Sequence, residues 1–163
     1  MDLLCTIKCK IHVICLTESW LGPLDNIKDF EIDGYHTPLF QNRQQSAHGG
    51  VITYLHKDIK QHKQVQSMSF VDEFNHCLAT EITIKNTAIT FLNIYIYRSP
   101  NSENETFADK FESIVEKTTS KTCYILGDMN YNLLNHDKHT PTKTYLNMVA
   151  LACFLQTTYY KAY

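Results

Sequence analysis

A mixed α and β fold is predicted by three features of the chain. Short apolar runs of strand length, such as Val13-Ile14-Cys15-Leu16, alternate with segments whose apolar residues recur at helical spacing. Two strand-like runs flank Lys85-Asn86 as a hairpin. Polar residues gather directly after strand ends, where the strands of one sheet can deliver them to a single cleft. No internal repeat or linker-like stretch divides the 163 residues, so residues 1–163 are expected to form a single domain.

Taken in order, residues 2–10 read as the last turns of a helix, with Asp2 as N-cap and Leu3, Leu4 and Ile7 on one side. Residues 11–16 lack polar alternation and predict a central strand covered on both faces, ended by Thr17-Glu18-Ser19. Gly22-Pro23 and Asp33-Gly34 punctuate a loop, and residues 49–56 form a strand opened by two glycines. Residues 77–84 and 87–97 are the hairpin strands. The second is apolar on both faces, with Ile89, Phe91 and Tyr95 on one and Leu92, Ile94 and Ile96 on the other, so it belongs deep in the fold.

Ser102 with Glu105 fits a capping box, and Phe107, Phe111, Ile114 and Val115 follow at helical spacing. Residues 122–126 predict a buried strand stopped by Gly127. Pro141 suits the first position of a helix that carries Tyr145, Met148, Val149 and Ala152 on one face.

Composition narrows the function classes. With 17 acidic and 15 basic side chains the formal net charge is −2, and the 20% charged residues include no polybasic tail that would by itself suggest nucleic-acid binding. Hydrophobic residues make up 44% of the chain, and it carries only 5 Gly and 4 Pro, which marks a folding sequence. The opening apolar run is too short for a signal-peptide core or a membrane span, so an intracellular chain is expected. The 6 cysteines read as reduced, buried thiols. Cys5, Cys9 and His12 lack the paired spacing of a zinc site and read as packing residues.

Three polar clusters follow three apolar strands: Thr17-Glu18-Ser19-Trp20, Tyr97-Arg98-Ser99-Pro100-Asn101 and Gly127-Asp128-Met129-Asn130. Together they hold what phosphoryl chemistry needs: oxygen ligands for a hard divalent cation, an acceptor to align water, and neutral donors for a phosphate. Taken singly, each reads better as turn chemistry than as a site, and only together do they point to one cleft. Glu18 solvates a turn, Asp128 follows a glycine, and Tyr97 ends a strand with its hydroxyl in water.

These strings carry a resemblance. Ile14-Cys15-Leu16-Thr17-Glu18-Ser19-Trp20-Leu21 resembles the glutamate motif of the endonuclease/exonuclease/phosphatase superfamily, in the form found in endonuclease domains of non-LTR (LINE-type) retrotransposons. Arg43 followed by His48-Gly49-Gly50-Val51-Ile52-Thr53-Tyr54-Leu55 is similar to the family's glycine-led strand. Ile96-Tyr97-Arg98-Ser99-Pro100-Asn101-Ser102 is similar to its tyrosine-arginine-proline loop. Ile125-Leu126-Gly127-Asp128-Met129-Asn130-Tyr131-Asn132-Leu133-Leu134 resembles its Gly-Asp-Phe-Asn motif.

The resemblance implies a four-layer α/β sandwich and hydrolysis of DNA phosphodiester bonds with Mg2+ or Mn2+. By resemblance, Glu18 is the metal ligand, Asp128 positions or deprotonates the attacking water, and Tyr97 and Asn130 hold the scissile phosphate. Arg98 reads equally as a phosphate contact or as the partner of an acid. His48 is given no catalytic role, and Trp20 reads as packing rather than as a base-stacking platform. A DNA substrate implies access to the nucleus. Inositol phosphatases and sphingomyelinases share the superfamily, but the retrotransposon-like spelling of the motifs argues against both.

The match also departs from the family pattern. The family's opening strand with its metal-site asparagine, and its closing Ser-Asp-His segment, do not occur in these 163 residues. His136 and His139 occupy a loop and are poor substitutes; Asn132 stands where aspartate is usual and Met129 where phenylalanine is. The expectation is an incomplete sandwich without its first and last strands, with weak or no nuclease activity. The alternative is a non-catalytic remnant that binds a protein partner through an unpaired sheet edge.

Overall fold

The computed structural model describes residues 9–42, 49–97, 105–118, 122–131, 133 and 140–151. The expected helix end before Lys10, the Ser102 cap and Ala152 therefore lie outside the described residues, save for residues 9 and 10. The chain forms two compact units, Met1–Arg98 with Lys121–Met129, and Ser99–Ser120 with Asn130–Tyr163.

The first unit contains two sheets. Strands β1 (Val13–Thr17) and β2 (Leu39–Gln41) flank β3 (Val51–Leu55), both antiparallel to it. The second sheet has the order β4 (Gln61–Gln64), β6 (Asn75–Ile84), β7 (Thr87–Ile96), β8 (Thr122–Asp128), with β5 (Phe70–Val71) also paired to β6. Only the β7–β8 pair is parallel among the described pairings. As the sequence predicts, β6 and β7 form a hairpin; its turn residues Lys85 and Asn86 both take positive φ, 48° and 64°, the twist that suits a two-residue hairpin turn.

The two sheets pack face to face. Val51 of β3 meets Leu78 and Tyr95, and Leu55 meets Ile59 and Ile82, all buried. Asn93, fully buried on β7, crosses the gap: its Nδ2 donates to the carbonyls of Leu16 at 3.1 Å and Ile52 at 3.0 Å. An amide so placed binds the small sheet to the large one by hydrogen bonds as well as by apolar contact. The loop after β1 covers the outer face of the small sheet through Leu21, Ile27, Ile32 and Tyr35, which pack on Ile14, Ile52 and Tyr54.

Three expectations about the strands need correction. Strand β1 lies at a sheet edge among the described strands, and Leu16 is 46% exposed. Among the described residues its outer face is covered at Ile14 but not at Leu16, so a run without polar alternation does not guarantee burial on both sides. Strand β8 is likewise an edge, alternating half-buried Cys123 and Ile125 with exposed Tyr124 and Leu126. Gly127 does not stop β8 but lies within it, at φ 130°.

The cysteines are free thiols where described, but Cys9 is exposed and only Cys77 is fully buried. The sequence gives no sign of strands β2, β4 and β5. They are short, and Gln61-His62-Lys63-Gln64 has no apolar alternation to reveal it.

The second unit holds α1 (Glu105–Thr118) and α2 (Thr140–Leu151), both where helical spacing places them. Phe111 and Ile114 are buried on α1, and Tyr145 and Val149 on α2. The Tyr145 ring meets Phe111 at 5.9 Å between centroids and stacks on Tyr131 at 4.6 Å. No helix among the described residues is long and apolar enough to cross a membrane.

Candidate active site

Register decides which side chains share a face. Residues 95 of β7 and 128 of β8 are directly paired in the parallel ladder, so their side chains stand next to each other on one face. Alternation puts Phe91, Asn93 and Tyr95 on that face with Tyr124, Leu126 and Asp128. The Phe91–Tyr124 ring stack lies on this face, and it is the face that meets the small sheet, as the Asn93 bonds to β1 and β3 show. Asp128, exposed at the end of its strand, is thus delivered beside Tyr95.

Gly127 makes that delivery possible. A Cβ built there would lie 1.9 Å from the Ile94 carbonyl oxygen, and its φ of 130° is one that side-chain-bearing residues rarely adopt. Glycine is therefore needed immediately before the acid for β8 to lie against β7.

Glu18 arrives from the small sheet. It takes a left-handed φ of 53° and Trp20 one of 54°, a turn that bulky residues adopt only when their surroundings enforce it. The enforcement comes from the glycine pair that opens β3: Ser19 N–H donates to the Gly50 carbonyl at 3.3 Å, and Trp20 N–H to the Gly49 carbonyl at 2.9 Å. Both glycines also have positive φ. A Cβ on Gly49 would meet the His76 ring at 2.7 Å, and one on Gly50 would meet Ser19 Oγ at 2.5 Å. Fully buried His76 holds this turn by accepting the Gly50 N–H at Nδ1, 2.7 Å away, which leaves the ring proton on Nε2.

The Glu18 carboxylate meets the second sheet through Tyr95, whose hydroxyl donates to Oε1 at 2.7 Å. Burial foremost, then this bond and the negative charges of Glu18 and Asp128, push the Tyr95 hydroxyl far above its ordinary pKa. The phenol therefore stays a donor throughout the physiological range.

The remaining expected site residues are placed as follows. Tyr97 follows β7 with its side chain 46% exposed, anchored by its N–H to the Phe74 carbonyl at 2.7 Å. Asn130, exposed and at φ 50°, opens the second unit's last segment. Arg98, Arg43, His48, Asn132, His136 and His139 lie outside the described residues. Trp20 is 53% exposed beside Glu18 rather than packed away. Among the described residues no group of three or more His, Cys, Asp or Glu side chains is arranged to hold a metal ion.

Sequence reasoning missed Tyr95, His76 and Asn93. Asn93 and His76 had a usable signal, a polar residue inside an otherwise apolar strand. Tyr95 had none, since tyrosine is ordinary in a buried strand.

Comparison with known proteins agrees with this architecture. The model of the endonuclease/exonuclease/phosphatase family matches residues 7–161. Among solved structures, the endonuclease domain of TRAS1, a telomere-specific non-LTR retrotransposon, matches with a TM-score of 0.56 at 12% identity, covering 74% of this chain and 53% of that one. This chain thus spans about half the length of that domain. No curated protein matches the chain. The paired sheets, the ordered motifs and the family match over nearly the full length place this chain in the endonuclease/exonuclease/phosphatase family.

Proposed function

We propose that the chain, as a single domain, carries the site of a DNA endonuclease that hydrolyses phosphodiester bonds with Mg2+ or Mn2+. One observation carries this reading: carboxylates from two different sheets, Glu18 and Asp128, are both brought to Tyr95. The donor set suits a hard cation, because Mg2+ is held through one or two carboxylates and keeps several of its waters. Glu18 is the ligand in this reading; its Oε2 takes no hydrogen bond from a described residue. The ion would supply positive charge against the phosphate oxygens.

The chain's own residues do the rest. Asp128 accepts the proton of the attacking water as its oxygen bonds to phosphorus. The ester oxygen departs with the electron pair of the broken P–O bond and is protonated from solvent. By the resemblance of their motifs, Tyr97, Arg98 and Asn130 are the residues that would contact the phosphate. We place the turnover of the 163 residues alone as low, since positioning and charge stabilisation supply most of the acceleration in such reactions, and the family's Ser-Asp-His segment is not in this sequence.

Supercoiled-plasmid nicking by the folded chain tests the proposal, with Glu18→Gln, Asp128→Ala and EDTA as controls. Nicking by the parent that all three controls abolish is expected. Nicking that survives both substitutions refutes it. No nicking from a folded parent favours the non-catalytic reading, in which the edges of β1 and β8 pair with a protein partner.

A further inference from the structure

Glu18 is held twice over, once directly by the β6–β7 hairpin and once through the glycine pair that the hairpin supports. Its backbone turn rests on the Gly49 and Gly50 carbonyls, and that glycine pair rests on His76 of β6. Its carboxylate rests on Tyr95 of β7, and the His76 and Tyr95 rings lie 5.8 Å apart between centroids.

Tyr95 is 3% exposed and wedged with Val51 and Leu78 between the sheets, so its ring cannot swing away. A buried hydroxyl needs a partner, and Glu18 Oε1 provides it. The bond fixes one carboxylate oxygen and thereby the direction of the other.

We propose that Tyr95 is the positioning residue for Glu18: its hydroxyl pins Oε1 so that Oε2 is presented to a divalent cation, and His76 positions the Glu18 backbone through the Gly49-Gly50 turn. The inference rests on the reading of Glu18 as the metal ligand. Tyr95 itself touches neither metal nor phosphate in this scheme. Groups that orient a metal ligand in this way typically change metal affinity by about 10–100-fold when removed.

The test is a Mn2+ titration of the full chain, followed by the electron paramagnetic resonance of free Mn2+. Tyr95→Phe removes only the hydroxyl and keeps the packed ring. Tyr54→Phe is the control, because it also deletes a buried tyrosine hydroxyl, one that donates to the Phe30 carbonyl at 2.9 Å, in the loop after β1. Tyr95→Phe is expected to weaken Mn2+ binding at least about tenfold, with Tyr54→Phe matching the parent and Glu18→Gln losing the site.

Tyr95→Phe within about twofold of the parent, with Glu18→Gln still abolishing binding, overturns the positioning role and leaves the reading of Glu18 standing. A parent that binds no Mn2+, or a Glu18→Gln variant that binds like the parent, overturns both. If circular dichroism shows Tyr95→Phe unfolded, the parent labelled with 13C at tyrosine Cζ replaces it. On addition of Mg2+ the Tyr95 resonance is expected to shift while that of Tyr54 stays still, and an unmoved Tyr95 resonance overturns the inference.

Discussion

Replacing Asn93 tests how the two sheets are joined. Its Nδ2 bridges to the Leu16 and Ile52 carbonyls at 3.1 and 3.0 Å, with Thr53 Oγ1 at 3.4 Å, and the residue is fully buried. In Asn93→Ala the Leu16 and Ile52 carbonyls lose a donor, at about 1–3 kcal/mol each, and the second lone pair of each carbonyl and the partial exposure of the Leu16 bond favour the lower end of that range. A small void adds to the loss, so about 2–4 kcal/mol is expected in all. For a domain of this size that corresponds to a fall in Tm of roughly 5–15 °C.

Asn93→Asp sharpens the test, because the introduced carboxylate would face two carbonyl oxygens. Burial and those oxygens raise its folded pKa above the unfolded value of about 4. Stability is then fully present below pH 4 or so, where the protonated group can donate again, and is lost as pH rises through the folded pKa. Thermal melts by circular dichroism from pH 3.5 to 8 measure both effects. An Asn93→Ala variant melting within about 1 °C of the parent, or an Asn93→Asp variant whose deficit does not grow with pH, would refute this account of the sheet interface.

Three further outcomes are expected. Gly127→Ala forces a Cβ to within 1.9 Å of the Ile94 carbonyl oxygen at a φ suited to glycine, so urea denaturation should show a loss above the roughly 1–3 kcal/mol that such backbone strain costs alone; a loss under about 1 kcal/mol would contradict it. Burial, with a smaller contribution from Tyr131, pushes the Tyr145 hydroxyl up to about 12 from 10.0. The folded state therefore holds that proton more tightly, and its stabilising effect is complete below pH 10 and lost as pH rises towards 12; Tyr145→Phe should flatten the fall seen in melts over this window. Burial likewise pushes the Cys77 thiol up to about 12, so mass mapping after brief alkylation should find Cys9 modified and Cys77 protected until the chain unfolds.

Local signals carried much of the fold. The hairpin was legible because β6 and β7 alternate or run apolar around a turn dipeptide whose residues both take positive φ. Helices α1 and α2 announced themselves through Phe111, Ile114, Tyr145 and Val149. Edge status was not legible, since β1 reads as central and only the pairing pattern shows that, among the described strands, β3 alone lies beside it.

At the candidate site, the sequence marked Glu18 and Asp128 but not what lies between them. The Tyr95 bond spans 77 positions of sequence, and only the face-to-face packing of the sheets creates it. In the sequence Gly127 reads as a stop, whereas in the fold it is a close approach within a strand, a distinction that depends on Ile94 of the neighbouring strand.

Anomalous diffraction from crystals of the chain soaked in Mn2+ addresses the site most directly. A peak against Oε2 of Glu18, with the Tyr95 hydroxyl still on Oε1, is the expected result. A map with Mn2+ bound elsewhere, or with none against a Glu18 that keeps its Tyr95 bond, would contradict the assignment of Glu18 as the metal ligand.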